Sequence, residues 1–308
     1  MSNVKTAINM GGLIMKNPVT TGSGTFGSGL EMQDYVDLTK LGAITVKGTT
    51  LEPRPGNSMP RIAETPAGIL NSIGLENPGV DSFIQNILPK ITKFNTPIIV
   101  NIAGSTVEEY GKITEILDKE EAVSALEINI SCPNVKNGGM AFGTNPETAF
   151  NAINNVRKNT KKPIIAKLSP NVTDIVAMAK VAKDAGADGL SLINTLLGMK
   201  IDIKNKKPFL GNVMGGLSGP AIKPVALRMV YQVSQAVDLP IIGQGGICTW
   251  EDAVEFLLAG ATGVSVGTGN FLEPDATIKV AQGIEQYLMD NGFNDVNDII
   301  GLAWKGAK

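Results

Sequence analysis

Residues 164–193 read IIAKLSPNVTDIVAMAKVAKDAGADGLSLI. An apolar run at 164–168 gives way to a short polar loop. A segment at 173–186 follows, with its apolar side chains on one helical face and Gly186 as its stop. A second apolar run occupies 189–193. Strand, crossover helix and strand in that order make a βαβ unit. Continuous apolar strands are what a parallel sheet covered on both faces requires.

The unit recurs in both directions from this stretch. Strands are predicted at 19–21, 43–46, 98–102, 126–130, 164–168, 189–193, 241–243 and 263–266. Helices are predicted at 31–40, 80–94, 107–119, 147–159, 173–186, 222–237, 250–259 and 275–290. Eight strands alternating with eight helices point to an α/β chain folded as a (β/α)8 TIM barrel. A doubly wound sheet is the alternative; near-regular spacing and a uniform composition favour the barrel. One domain is expected over 1–308. Residues 1–17 form an N-terminal β-hairpin cap, with strands at 4–8 and 13–16 around Asn9-Met10-Gly11-Gly12. Two connections, 48–79 and 195–220, are longer than a barrel needs. Extended βα loops of this kind belong over the active-site mouth. The second should hold a hairpin at 200–212, with the basic run 204–207 as its solvated turn.

Composition narrows the chemistry. The chain has 308 residues, 43% hydrophobic and 18% charged, with a net charge of −2. No basic footprint points to nucleic acid. The sequence shows no signal peptide and no apolar run long enough for a membrane span, so a cytoplasmic location is expected. The two cysteines, Cys132 and Cys248, are read as free thiols. Two cysteines cannot ligate an iron–sulphur cluster or a four-cysteine zinc site alone, and no metal site is expected. There is no histidine. A Ser-His-Asp triad, a histidine-ligated metal and a histidine base are therefore excluded. Proton transfer near neutral pH must use cysteine, lysine, tyrosine or a carboxylate.

In a barrel the residues just past each strand converge on one mouth. Here they are Gly22-Ser23-Gly24-Thr25, Lys47-Gly48, Asn101, the run 129–132 with Asn129 and Cys132, Lys167, Asn194-Thr195, Gly245-Gly246 and Gly267-Thr268. The glycines of the last two strand ends let backbone approach an anion closely. A short extra turn at 270–274 and Gly219 fit the same phosphate pocket. Residues 22–27, GSGTFG, match a dinucleotide fingerprint by letter. That reading needs an acidic residue after the next strand, where Lys47-Gly48-Thr49 stands instead, so it is rejected. The glycines are kept as a close approach to a flat ligand. Cys132 taken alone is equally a small buried hydrophobe. Among lysines, amides and an anion it reads as a proton-abstracting thiol, because cations lower a thiol pKa. Cys248 is read as structural.

The run Asn129-Ile130-Ser131-Cys132-Pro133-Asn134 closely resembles dihydroorotate dehydrogenase. So do Lys47-Gly48, Asn71-Ser72-Ile73-Gly74-Leu75, Asn194-Thr195 and Gly245-Gly246-Ile247. The resemblance covers essentially the whole chain. It implies an FMN-containing barrel that oxidises (S)-dihydroorotate to orotate in de novo pyrimidine (UMP) biosynthesis. The cysteine at 132 resembles class 1, and the following VKNGGMAFGT resembles the NAD-linked class 1B. Class 1A typically carries a Gly-Lys-Pro-Gln run there. Class 1B implies one FMN per chain and a partner subunit carrying FAD and a [2Fe-2S] cluster. The expected assembly is a heterotetramer built on a homodimer of this chain, passing electrons to NAD+.

The resemblance also implies residue roles. Cys132 takes a proton from C5 of the substrate, and a hydride passes from C6 to N5 of the flavin. Lys47, Asn71, Ser72, Ile73, Gly74, Leu75, Asn129, Asn194 and Thr195 resemble the substrate-binding set. Ser23, Lys47, Gly48, Asn101, Asn129, Lys167, Ile193, Gly219, Gly245, Gly246, Gly267 and Thr268 resemble the FMN contacts, with Lys167 beside flavin N1 and O2. Gly138 and Gly139 are read as the hinge of a lid. Three other readings stand beside this one. They are a fumarate-linked class 1A enzyme, a dihydropyrimidine dehydrogenase-type flavin barrel, and a non-catalytic barrel that binds a phosphorylated ligand.

Overall fold

The computed structural model describes residues 4–131 and 142–306. At its centre are eight parallel strands: β1 (Val19–Thr21), β2 (Ile44–Thr49), β3 (Ile98–Ile102), β4 (Val123–Asn129), β5 (Ile164–Lys167), β6 (Gly189–Leu192), β7 (Ile241–Gln244) and β8 (Gly263–Val266). They are ordered β1-β8-β7-β6-β5-β4-β3-β2, and each backbone-paired neighbour is parallel. This is the predicted (β/α)8 barrel. Helices cover its outer face. In the helix Ile175–Asp184 the side chains of Ile175, Met178, Ala179 and Ala182 are buried, and the Asp174 carboxylate caps the first turn through the N–H groups of Val176 and Ala177.

The barrel closes between β1 and β2 through threonine hydroxyls. Thr21 Oγ1 donates to the Thr45 carbonyl at 3.0 Å and accepts from the Thr45 N–H at 3.0 Å. Thr20 Oγ1 meets Thr45 Oγ1 at 2.9 Å and donates to the Ala43 carbonyl at 3.1 Å. One hydroxyl thus occupies the place of a missing ladder rung. Thr21→Val keeps the shape and leaves two buried backbone groups of Thr45 unpaired. A loss of about 2–4 kcal/mol in unfolding free energy is expected, read by urea titration of the apo-protein. An unchanged midpoint would show that the seam does not depend on this hydroxyl.

Residues 31–40 do not form the predicted helix. Two short 3₁₀ turns, Leu30–Met32 and Leu38–Lys40, stand there. Local side-chain bonds compete with helix: Glu31 accepts from the N–H and hydroxyl of Ser28, and Asp37, with extended backbone, accepts from the Thr39 N–H. Residues 80–94 are helical but pass through a π turn, Phe83–Ile87, followed by a turn containing Pro89, which has no N–H to donate.

The N-terminal hairpin pairs Ile8–Met10 with Leu13–Met15, so its first strand begins later than predicted. It lies against the N-terminal ends of the barrel strands. A Cβ on Gly11 (φ +64°) would stand 2.2 Å from the Asp188 carbonyl oxygen, just before β6. The two long loops pair with each other. Strands Leu196–Met199, Met214–Ser218, Gly68–Asn71 and Ile62–Thr65 form an antiparallel sheet in that order. Ala63, Leu70 and Leu210 make a small core of its own beneath it. The predicted hairpin at 200–212 is the short ladder Ile201–Asp202 with Lys207–Pro208 at the tip of this arm. Among the described residues no helix is long and apolar enough to cross a membrane.

Candidate active site

Alternate residues of each strand face the barrel axis. The register sets Asn101 beside Glu127, Asn129 beside Lys167, Lys167 beside Ser191, and Gln244 beside Ser265. On the β3–β6 side these polar side chains satisfy one another. Glu127 Oε2 accepts from Lys167 Nζ at 3.2 Å and from Asn101 Nδ2, and its Oε1 accepts from Ser191 Oγ at 2.7 Å. Lys167 also donates to Ser23 Oγ at 3.3 Å. The two charged side chains are only 4% and 7% exposed. A buried carboxylate is tolerated because three strands bring it a cation, an amide and a hydroxyl.

A second network lies at the rim. Asn129 Oδ1 accepts from Ser131 Oγ at 2.8 Å, and Ser131 Oγ accepts in turn from Asn194 Nδ2. Asn194 Oδ1 accepts from the Thr195 N–H at 2.7 Å. From the outer layer, Tyr110 donates its hydroxyl to the Asn129 carbonyl at 2.8 Å, which braces the end of β4. Asn71, the last residue of its roof strand, donates to the Gly216 carbonyl at 3.3 Å. Burial pushes the Lys47 ammonium pKa down, against an opposing pull from Glu76.

These groups surround one cavity of about 260 Å³. Lys47, Asn71, Ser72, Ile73, Gly74, Leu75, Asn129, Asn194 and Thr195 all line it. So do Ser23, Gly48, Asn101, Lys167, Ile193, Gly219, Gly245, Gly246, Gly267 and Thr268. Gly245 and Gly246 take φ +122° and +78°, conformations that favour glycine. A Cβ built on Gly24 or Gly267 meets no atom within 4 Å. The predicted extra turn is the helix Gly269–Leu272, directly after Thr268.

Cys132, Gly138 and Gly139 lie outside the described residues; Ser131, immediately before Cys132, lines the cavity. Cys248 is half-buried, and burial raises its thiol pKa. Among the described residues no group of three or more acidic or cysteine side chains is placed to hold a metal.

The sequence reading missed several cavity residues. Ser131 and Gln244 lay inside motifs read for their neighbours, the thiol and the glycines. Ser265 also lines the cavity, as does Ser218, whose Oγ is 2.8 Å from Thr268 Oγ1. Glu127, which does not line the cavity but holds its Lys167, was hidden in an apolar strand. A lone charge in such a run was the available signal.

A family model described as dihydroorotate dehydrogenase matches residues 5–288. Three close relatives bear the name dihydroorotate dehydrogenase B (NAD(+)), catalytic subunit. The one from Desulforamulus reducens is 60% identical over 297 residues, covering 96% of this chain and 98% of that protein. The one from Alkaliphilus metalliredigens is 59% identical over 301 residues, covering 98% and 99%. The one from Geotalea daltonii is 57% identical over 301 residues, with the same coverage. The match over nearly the full length, on a barrel whose strand ends surround this cavity, shows that the chain belongs to the dihydroorotate dehydrogenase family.

Proposed function

We propose that this chain is the catalytic subunit of an NAD-linked dihydroorotate dehydrogenase. It oxidises (S)-dihydroorotate to orotate for pyrimidine nucleotide synthesis, with one FMN in the cavity described above. The observation that carries the reading is the joining of three chemistries in a single cavity. These are glycine backbone suited to a phosphate, a buried lysine on the barrel axis, and an amide network at the rim. The residues fit FMN. The open space over Gly24 and Gly267 admits a flat ring and a close phosphate, and the buried donor Gln244 Nε2 has no partner within the protein. When bound, FMN supplies the acceptor for the hydride leaving the substrate.

The chain's own residues do the rest. Gly219, Gly245, Gly246, Gly267 and Thr268 hold the phosphate. Ser23, Gly48, Asn101, Lys167 and Ile193 hold the ring and its chain. Asn71, Asn129, Asn194 and Thr195 read the substrate's amide groups and carboxylate, with the backbone of Ser72, Ile73, Gly74 and Leu75 closing over it. Lys47 lies between substrate and cofactor. Cys132 removes the C5 proton. Electrons leave through a partner carrying FAD and [2Fe-2S], two copies of each subunit making the assembly. The name catalytic subunit borne by the relatives supports a partner subunit.

The test is anaerobic. The protein loaded with FMN should lose its yellow absorbance on addition of dihydroorotate and keep it with dihydrouracil. The reverse preference would favour a dihydropyrimidine dehydrogenase-type barrel. Turnover with fumarate and no partner would favour the class 1A reading. A protein that stays colourless with added FMN would sink the flavin assignment.

A further inference from the structure

Five buried side-chain nitrogen or oxygen atoms among the described residues have no hydrogen-bond partner. Only two of them, Gln244 Nε2 and Ser265 Oγ, belong to residues that line the cavity. The two are partners in the β7–β8 register, so both project inward at the same height. They are 8% and 3% exposed. The contrast with the opposite wall is sharp. On β3–β6 every inward polar side chain described above has a partner; on β7–β8 two adjacent ones have none. Leaving a buried donor unpaired costs about 1–3 kcal/mol, so this wall is built for a group that the protein does not itself supply.

Position and chemistry say what that group is. Gln244 directly precedes Gly245-Gly246, and Ser265 precedes Gly267 by two residues. At about 3.3 Å per residue, the pair lies one to two steps below the phosphate glycines. Lys167 stands on β5, two strands from β7, about 9.6 Å across at ordinary strand spacing. The pair therefore lies between the phosphate end and the ring end of the cavity. A phosphate and the N1/O2 edge of a flavin only accept hydrogen bonds. A primary amide and a hydroxyl both donate and accept, which matches alcohol groups.

We propose that Gln244 and Ser265 form a subsite for the hydroxyl groups of the cofactor's polyol chain. This inference rests on the FMN reading above. The subsite selects a hydroxylated linker between ring and phosphate and fixes its path along β7 and β8.

The test titrates apo-protein with FMN and with a flavin phosphate whose N10 chain is an unhydroxylated pentyl group. Wild type should bind FMN more tightly. Gln244→Met/Ser265→Ala keeps side-chain volume and removes the hydrogen bonds. It should weaken FMN binding about tenfold to a hundredfold and leave the pentyl analogue's Kd unchanged. Unchanged FMN affinity in the variant would mean that internal water satisfies the pair, and would overturn the proposal. An equal loss for both ligands would mean altered cavity shape, and would overturn it too. Wild type binding neither ligand would instead remove the FMN reading on which the proposal stands. Thermal unfolding of the apo-variants checks folding; if the double variant fails, Ser265→Ala alone should show the same ligand selectivity at smaller size.

Discussion

Cys132→Ala is expected to retain bound flavin and to slow its reduction by dihydroorotate about 10²–10⁴-fold, the span that a positioned general base contributes. The chain offers no histidine to take over. Of the two lysines lining the cavity, Lys167 is engaged by Glu127 and Ser23, and Lys47 stands on β2, two strands from the β4 end that leads to Cys132. Anaerobic stopped-flow absorbance measures the step directly, and the flavin content of the variant separates lost chemistry from lost cofactor. Cys132→Ser should retain part of the rate, with its pH profile displaced upward, since a hydroxyl ionises far less readily than a thiol. Reduction of the alanine variant at the wild-type rate would remove Cys132 from the mechanism.

The largest stability effect is expected at Lys167. Lys167→Met leaves the Glu127 carboxylate buried with only an amide and a hydroxyl for company. Breaking a buried pair in this way costs about 3–5 kcal/mol. Denaturant unfolding of the apo-protein measures it without involving the flavin. Glu127→Gln in the Lys167→Met background should recover most of the loss, because the penalty belongs to the uncompensated charge. A double-mutant cycle separates that coupling from the independent effects of the two changes. A stable Lys167→Met protein would show that the pair is not a structural requirement. For catalysis, the pairing means that Lys167 reaches the cavity with its charge already shared.

The barrel was legible because a parallel sheet covered on both faces writes each strand as a short apolar run. Residues 164–193 show the whole unit, and the structure returns it with β5, the helix Ile175–Asp184 and β6 in place. Residues 31–40 misled for a local reason: Glu31 and Asp37 bond their own neighbours and cut the helix into turns. The roof was illegible for a non-local one. Gly68–Asn71 pairs with Met214–Ser218 across about 145 residues of chain, and nothing in either loop names the other. The site divides along the same line. Glycines and amides just past strand ends announce themselves by position. Glu127, Gln244 and Ser265 acquire meaning only once the register turns them toward a common axis.

The roof sheet has one consequence for how the mouth operates. Asn71 ends one of its strands, and Thr195 directly precedes another. Between them, Gly216 lies so close to Thr195 that a Cβ would stand 2.0 Å from its hydroxyl. Two loops that leave the barrel at β2 and β6 are thereby fused into a single cooperative unit. Moving one loop alone would break the ladder between Gly68–Asn71 and Met214–Ser218. Asn71 and Thr195, which both line the cavity, are therefore held to one ladder.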